Sequence, residues 1–184
     1  EVYGSFDPWH IRDIVAKNSN AGFYDSELLS SYTDEEWEKI NSFIVHKRDF
    51  NISYVGMEQF RGKYLVQNRV TKEVFETPQM AYMLIAATLF SNYPKEERLK
   101  YVKDYYDAIS TFDISLPTPV MAGVRTPQRQ FSSCVLIETD DSLDSINATS
   151  SSIVKYVSQK AGIGVGAGSI RAINSPMKLK IYLF

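Results

Sequence analysis

Cys134, the only cysteine in the chain, stands where a side chain could react. Two serines precede it, and the apolar residues 135–137 that follow it are typical of a buried strand. Arg125 and Arg129 lie shortly upstream, and neighbouring cations favour the reactive thiolate form of a cysteine. A free cysteine is more often a small buried hydrophobic residue, so the residues alone leave both interpretations of Cys134 open.

Glycine alternates with other small or apolar residues over residues 162–168, whose sequence is Gly-Ile-Gly-Val-Gly-Ala-Gly. The spacing fits a loosened dinucleotide-binding fingerprint. The segment follows a predicted helix, however, and no ribose-binding acid lies about twenty residues further on, so we expect no NAD site. Glycine here would let a backbone approach closely, and the sequence leaves open whether the neighbour is another strand or a bound nucleotide.

Composition argues against several classes of protein. The net charge is −2 and charged residues make up 23% of the chain, which gives no basic footprint for nucleic acid. The apolar runs are too short to cross a bilayer, and the first residues lack the features of a signal peptide. A single cysteine forms no internal disulfide and is typical of a reducing compartment. We expect surface roles for His10 and His46 and no metal site, because the two have no paired spacing.

The elements that must position these residues begin with a helix start within residues 26–40, where Thr33 and Glu36 form a capping box. A short helix over 57–64, broken near Gly62, precedes strand-like residues 64–67 and a second short strand or turn at 70–75.

Two longer helices should form most of the core. Residues 78–90 are almost all apolar, which predicts a helix that is buried on most sides, with Pro78 in its first turn. Residues 95–110 repeat apolar side chains at helical spacing, so we expect an antiparallel hairpin of the two helices.

Beyond Pro119 the pattern changes to strand, helix and strand. After the strand at 135–137, Asp141 or Ser142 caps a helix that reaches residue 161 and ends at Gly162. Its buried face should hold Leu143, Ile146, Ile153 and Val157. A second strand at 163–170 completes one βαβ unit, which cannot form a whole sheet, so the sheet must be completed by chain outside this sequence.

Two long segments carry a resemblance to a known family. Residues 116–138, Leu-Pro-Thr-Pro-Val-Met-Ala-Gly-Val-Arg-Thr-Pro-Gln-Arg-Gln-Phe-Ser-Ser-Cys-Val-Leu-Ile-Glu, closely resemble a signature of the large subunit of class I ribonucleotide reductase, and the similarity continues over 141–171. The resemblance covers roughly residues 20–177. It implies an α+β fold, with a mainly helical N-terminal domain over 1–115. The first strand, helix and strand of a ten-stranded α/β barrel should follow over 116–177, and then a divergent tail over 178–184.

The resemblance also implies roles for particular residues. Cys134 matches one of two redox cysteines that together supply two electrons to the ribose 2′ position and become a disulfide. Thr118 and Ser133 match positions near the substrate diphosphate, and Gly162 matches a position where backbone touches the substrate. Hydroxyl and backbone N–H groups are suitable donors to phosphate oxygens.

A second set of residues would bind an effector. Asp141, Ser142 and Leu143 match the turn that holds the deoxyribose and base of a dNTP in the family's specificity site. Arg171 matches an arginine that binds the effector phosphates, a role that suits a guanidinium. Lys178 falls where a second arginine is usual, so the charge is kept but the bidentate fork is lost. The helix that Asp141 opens would contribute to the dimer interface.

The activity implied is radical-based reduction of ribonucleoside diphosphates to deoxyribonucleotides in the cytoplasm. The expected partners are the remainder of the large subunit, a small subunit carrying a diiron–tyrosyl radical, a second large subunit, and thioredoxin or glutaredoxin. We expect ATP or dNTP effectors and no other cofactor in this chain. The chain lacks the radical cysteine and the partner of Cys134, so we expect a piece of a larger enzyme that is inactive alone. The alternative is a non-catalytic remnant or a nucleotide-binding assembly module.

Overall fold

The computed structural model describes residues 10–159 and 161–176, which fall into two compact units divided between Phe131 and Ser132. The first unit is helical, and the second holds two strands and one helix. An α+β fold with a mainly helical N-terminal part is therefore confirmed. Lys178 and the predicted divergent tail lie outside the described residues. No helix of the described residues is long and apolar enough to cross a membrane.

The helices of the first unit are α1 (Ile11–Asn20), α2 (Asp34–Phe43), α3 (Tyr54–Gln59), α4 (Pro78–Phe90), α5 (Lys95–Ser110) and α6 (Thr118–Gly123). Short 3₁₀ turns cover Leu29–Ser31 and His46–Asn51. The second unit contains β1 (Cys134–Glu138), α7 (Leu143–Ser158) and β2 (Gly162–Gly166).

The first unit extends further along the chain than predicted, to Phe131 instead of residue 115. The physical reason is that α6 and the residues after it bury side chains among the helices. Met121 and Val124 belong to the same core as α4, and the guanidinium of Arg125 is fully buried there. A change of composition after two prolines therefore does not mark the boundary.

Helix α4 lies at the centre of this core. Every residue from Pro78 to Ala87 is buried, as expected for a helix that is apolar on nearly all sides. Thr77 caps the helix by accepting a hydrogen bond from the Met80 amide, and Pro78 lies in the first turn. Helix α5 packs against α4 through Val102, Tyr106 and Ile109, whose spacing repeats once per turn.

The predicted capping box at the start of α2 is confirmed. Thr33 Oγ1 accepts from the Glu36 amide, and the Glu36 carboxylate accepts from the Thr33 amide. This helix buries Trp37 completely, and the indole N–H donates to the Leu29 carbonyl at 3.1 Å. The ring of Tyr32 meets the Trp37 ring edge to face at 5.4 Å.

The segment after α3 differs from the sequence prediction. The helix is not broken near Gly62 but widens into a π-helical turn over Phe60–Tyr64, closed by a hydrogen bond from the Leu65 amide to the Phe60 carbonyl. The strand-like residues that follow form one antiparallel bridge, between Gln67 and Val74, instead of a full strand. A turn covers residues 69–71, so the turn is the correct one of the two alternatives predicted for 70–75.

In the second unit β1 and β2 pair in parallel, and Cys134 lies opposite Gly162. Helix α7 connects them, which gives the predicted βαβ unit. Ser142, the second of the two candidates, is the residue that caps α7, because its hydroxyl accepts from the Ser145 amide.

Three expectations for this unit are wrong. Helix α7 ends at Ser158 instead of residue 161, and Gly162 begins β2 instead of ending the helix. Strand β2 stops at Gly166, short of residue 170. The strand after Cys134 is not buried, since its residues alternate between exposed and partly buried.

The predicted buried face of α7 is also not buried, because the described second unit offers too little apolar surface to cover it. Leu143 is 85% exposed and Val157 is 54% exposed, and Ile146 is exposed too. Ile153 is only partly buried. The apolar spacing therefore identifies a face of the helix that the second unit leaves open to solvent.

Candidate functional site

Ser133, Cys134 and Gly162 meet at the beginning of the two parallel strands. The Gly162 amide donates to the Ser133 carbonyl at 2.7 Å, and this bond sets the register that places Gly162 beside Cys134. The thiol of Cys134 is free and exposed. Three of the residues predicted to contact substrate thus lie side by side at the same end of the strand pair.

The glycines of β2 leave space for the side chains of β1. Gly162, Gly164 and Gly166 lie opposite Cys134, Leu136 and Glu138 in turn. A Cβ on Gly164 would lie 2.7 Å from Leu136 Cδ2, and one on Gly162 would lie 3.4 Å from Cys134 Sγ. A methyl group at 164 would therefore displace only the end of the exposed Leu136 side chain, and Gly162 has room for a methyl group.

Thr118, the fourth residue predicted near substrate, belongs to the first unit. It is the first residue of α6, and it is exposed. Pro117 precedes it, and its carbonyl accepts from the amides of Val120 and Met121. Those bonds hold the start of α6 in place while the Thr118 side chain stays accessible to solvent.

Arg125 and Arg129, which lie shortly before Cys134 in the sequence, both have partners inside the first unit. Arg125 forms a fully buried ion pair with Glu76, and Arg129 pairs with Asp25 at 2.5 Å. A hydrogen bond from the Glu27 amide is the main reason that the pKa of the Asp25 carboxyl lies below its usual value, and Arg129 lowers it further. Proximity in sequence is therefore not evidence that these cations activate the thiol.

The residues predicted to bind an effector come together at the start of α7. Arg171 Nε lies 3.0 Å from Asp141 Oδ1 and 2.7 Å from Oδ2, and both side chains are about one third exposed. Ser142 caps the helix, and Leu143 follows it with its side chain in solvent. This arrangement joins a cation, a carboxylate, a hydroxyl and an apolar side chain, which together could bind the phosphate, sugar and base of a nucleotide.

Among the described residues no cluster of three metal-ligating side chains is present. His10 caps α1, because its Nδ1 accepts from the Arg12 amide at 3.3 Å. His46 is half-buried instead of lying on the surface, and burial lowers its pKa, although the charge of Asp49 opposes this.

One polar cluster was missed by the sequence reasoning. Glu76 and Arg125 are both buried, and Tyr24 donates to Glu76 Oε2 at 2.7 Å. An available signal was Glu76, an acid that follows Val74 and Phe75 and lies directly before the cap of the most apolar helix. A charge in such a position requires a buried partner.

Comparison with known proteins gives the same division of the chain. The family model for the ribonucleotide reductase all-alpha domain matches residues 50–129, and the model for the barrel domain matches residues 132–180. The gap between the two matches coincides with the division between the compact units.

The chain is also similar to curated proteins. It is 62% identical, over 97% of its length, to ribonucleoside-diphosphate reductase 1 subunit alpha of Escherichia coli and to ribonucleoside-diphosphate reductase subunit alpha of Haemophilus influenzae. It is 51% identical over 95% of its length to ribonucleoside-diphosphate reductase subunit alpha of Enterobacteria phage T4. The chain spans 23%, 24% and 23% of the length of these relatives, respectively.

Proposed function

Because this chain belongs to the ribonucleotide reductase family, we propose that it forms the helical part and the first barrel strands of a ribonucleoside-diphosphate reductase large subunit. The enzyme so formed reduces ribonucleoside diphosphates to deoxyribonucleoside diphosphates by a radical mechanism in the cytoplasm. The observation that carries the proposal is the pairing of Cys134 with Gly162, with Ser133 hydrogen-bonded alongside, in a chain so similar to reductase alpha subunits.

Cys134 serves as one of two reductant thiols. With a partner cysteine from the remainder of the large subunit, it gives two electrons and two protons to the substrate. The ribose C2′–OH bond is replaced by C2′–H, the hydroxyl leaves as water, and the two sulfurs join in a disulfide. The exposed position of Cys134 supports this role, since a disulfide-forming thiol must reach its partner and later be reduced by thioredoxin or glutaredoxin.

Thr118, Ser133 and Gly162 bind the substrate, with the hydroxyl groups directed to the diphosphate. Asp141, Ser142, Leu143 and Arg171, together with Lys178, bind a dNTP or ATP effector. Helix α7 contributes to the contact with a second large subunit, and its open apolar face supports that assignment. The radical comes from a diiron–tyrosyl small subunit.

The proposal is tested by following the sulfur of Cys134. The assembled enzyme turns over once without external reductant, is quenched with an alkylating agent, and is digested for mass spectrometry. We expect a peptide containing Cys134 joined by a disulfide to a cysteine of the remaining barrel. A Cys134→Ser variant should form no such cross-link and should lose product formation. Product formation with Cys134 still alkylated as a free thiol would refute the assigned role.

A further inference from the structure

The most completely buried charges in the described part of the chain belong to none of the residues proposed to touch substrate or effector. The side chains of Glu76 and Arg125 are both 0% exposed. Desolvating two charges costs several kcal/mol per ion, and an apolar pair of similar volume is often at least as stable. Stability alone therefore does not explain why a buried ion pair is present here.

Arg125 uses its whole guanidinium to join separate segments. Its Nε donates to both carboxylate oxygens of Glu76, at 2.8 and 3.1 Å. Its Nη1 donates to the Met121 carbonyl at 2.7 Å, and its Nη2 donates to the Tyr64 carbonyl at 2.9 Å and also to Glu76. A planar fork of five donors fits this arrangement, and a lysine could not reproduce it.

Glu76 completes the cluster from the other side. Besides Arg125, its carboxylate accepts from the Val66 amide at 2.7 Å and from the Tyr24 hydroxyl at 2.7 Å. Burial and the nearby Glu76 charge raise the pKa of Tyr24 well above its ordinary value, so this hydroxyl keeps its proton at any working pH. The pair thus fixes four segments that are distant in sequence.

One of these segments carries Thr118. Arg125, just beyond the end of α6, donates to the carbonyl of Met121 in α6, three residues after Thr118. The Asp25 amide donates to the Arg125 carbonyl at 3.0 Å, and the Asp25 carboxylate pairs with Arg129. The segment 117–129 is therefore held at several points, and two of them, the bond to the Met121 carbonyl and the bond from the Asp25 amide, belong to Arg125 itself.

We propose that Glu76 and Arg125 are positioning residues that hold the segment 117–129 so that the Thr118 hydroxyl meets the substrate diphosphate. This inference rests on the proposed contact between Thr118 and substrate. Arg125 touches no substrate itself and acts through α6. Its loss should weaken substrate binding more than it slows turnover.

The experiment is a double-mutant cycle in the assembled enzyme, with KM and kcat measured for a ribonucleoside diphosphate. Thr118→Val removes a hydrogen bond to a charged group and should raise KM about tenfold. Arg125→Lys should raise KM by a similar factor and leave kcat within about twofold, because the lost contact would stabilise bound substrate and transition state equally. In the double variant KM should rise no further than in the more affected single variant, since both changes remove the same contact.

A matched control separates positioning from general destabilisation. Arg98 forms the other largely buried ion pair of this unit, with Glu36, and its further partners are the Ser91 carbonyl and the Tyr32 ring. Arg98→Lys should lower the melting temperature without changing KM. If Arg125→Lys fails to fold, Tyr24→Phe serves as a milder variant. It removes one hydrogen bond to Glu76 and keeps the Glu76–Arg125 ion pair. This variant should raise KM slightly.

The outcomes are distinguishable. If Thr118→Val raises KM while Arg125→Lys and Tyr24→Phe leave it unchanged, or if the effects of Thr118→Val and Arg125→Lys multiply in the double variant, the positioning role is refuted and the proposed function stands. If Arg98→Lys raises KM as much as Arg125→Lys, the effect is general and the positioning role is again refuted. If Thr118→Val has no effect on KM, the assumed substrate contact is wrong and the inference fails with it.

Discussion

At the scale of single residues, the space around Gly162 separates two explanations for its glycine. A Cβ at this position would lie 3.4 Å from Cys134 Sγ and 3.5 Å from the Ser133 carbonyl oxygen, which are ordinary van der Waals distances. The strand pair alone therefore does not require glycine at 162. A closely approaching substrate would require it.

We predict that Gly162→Ala leaves the stability of the chain nearly unchanged but raises KM for the nucleoside diphosphate in the assembled enzyme. Gly164→Ala is the control, because its Cβ would displace only the end of the exposed Leu136 side chain. Thermal melting and steady-state kinetics of the two variants give the comparison. Equal KM values for Gly162→Ala and the parent enzyme would argue against backbone contact with substrate.

The Glu36 carboxylate makes stability depend on pH. Its pKa lies below the ordinary value of 4.5, mainly because Arg98 donates hydrogen bonds to it, which outweighs the effect of partial burial. A lowered folded-state pKa means that this stabilisation is fully present above the ordinary value. It is lost as the pH falls from there through the folded-state value.

We therefore predict that Glu36→Gln lowers stability at pH 7 and that the difference from the parent chain shrinks on acidification below about 4.5. Urea unfolding followed by circular dichroism at pH 7, 4 and 3 would measure it. Glu97→Gln is a suitable control, because Glu97 is an exposed acid in the first turn of α5 that makes no ion pair in the described structure. A constant difference between Glu36→Gln and parent across this range would contradict the prediction.

Local chemistry explains which residue-level expectations succeeded. The Thr33–Glu36 box and the placement of Pro78 depend on neighbours within four residues, so the sequence was sufficient to predict them. The Glu76–Arg125 pair joins residues 49 positions apart, and no local pattern indicates which arginine a buried acid will meet. The roles of Thr118 and Arg171 came only from family resemblance, and they stay predictions.

At the scale of elements, burial was predicted for apolar residues of both α4 and α7, and it is observed only for α4. Helix α4 has all its first ten residues buried, whereas α7 has none. The apolar composition of α4 correctly predicted burial on most sides. Periodicity correctly identified an apolar face on α7. It could not indicate whether the covering surface belongs to this part of the chain, which is why the buried face expected for α7 lies open.

This contrast predicts very different costs for two leucine substitutions. Leu84→Ala in α4 removes a completely buried side chain and should cost about 2–5 kcal/mol. Leu143→Asp at the start of α7 should change stability by less than about 0.5 kcal/mol, because the side chain is exposed and an acid suits the first turn. In the assembled enzyme the same Leu143→Asp change should impair effector response or subunit association.

Chemical denaturation of the isolated chain and effector-response assays of the assembled enzyme would test the pair of variants. Exposed Val154, on the same helix, offers a second position for comparison. A large loss of stability for Leu143→Asp in the isolated chain would mean that α7 is packed there after all.

At the scale of the whole molecule, the two units differ in how many buried hydrophobic residues they contain. All the buried hydrophobic residues of the described chain except Ala161 belong to the first unit. The second unit is a two-stranded parallel sheet with one helix, which is too little structure to be independently stable.

We predict that hydrogen exchange of the isolated chain divides at the boundary between the units. Amides of α4 and α5 should be strongly protected, and amides of β1, α7 and β2 should exchange fast. Mass spectrometry with peptide resolution would measure this. Uniformly slow exchange across residues 26–170 would show that the second unit is stable by itself and would contradict the expectation of a barrel completed by other chain.

Effector binding should follow the same division. Asp141 and Arg171 supply only the part of the effector site that lies in the second unit, and the proposed second large subunit is absent, so the isolated chain should bind dTTP weakly or not at all. Calorimetry is the measurement, with Arg171→Ala as the control for any heat observed. Low-micromolar affinity that disappears in the control would favour the alternative of a nucleotide-binding module.

Trp37 gives the helical unit its own optical signal. The indole is fully buried between Tyr32 and the core, and the sequence after Phe131 contains no tryptophan. With Trp9 replaced by phenylalanine, the emission wavelength would therefore follow unfolding of the first unit alone. Selective excitation of this one indole would then report on the helical unit of the isolated chain while the second unit contributes no tryptophan emission.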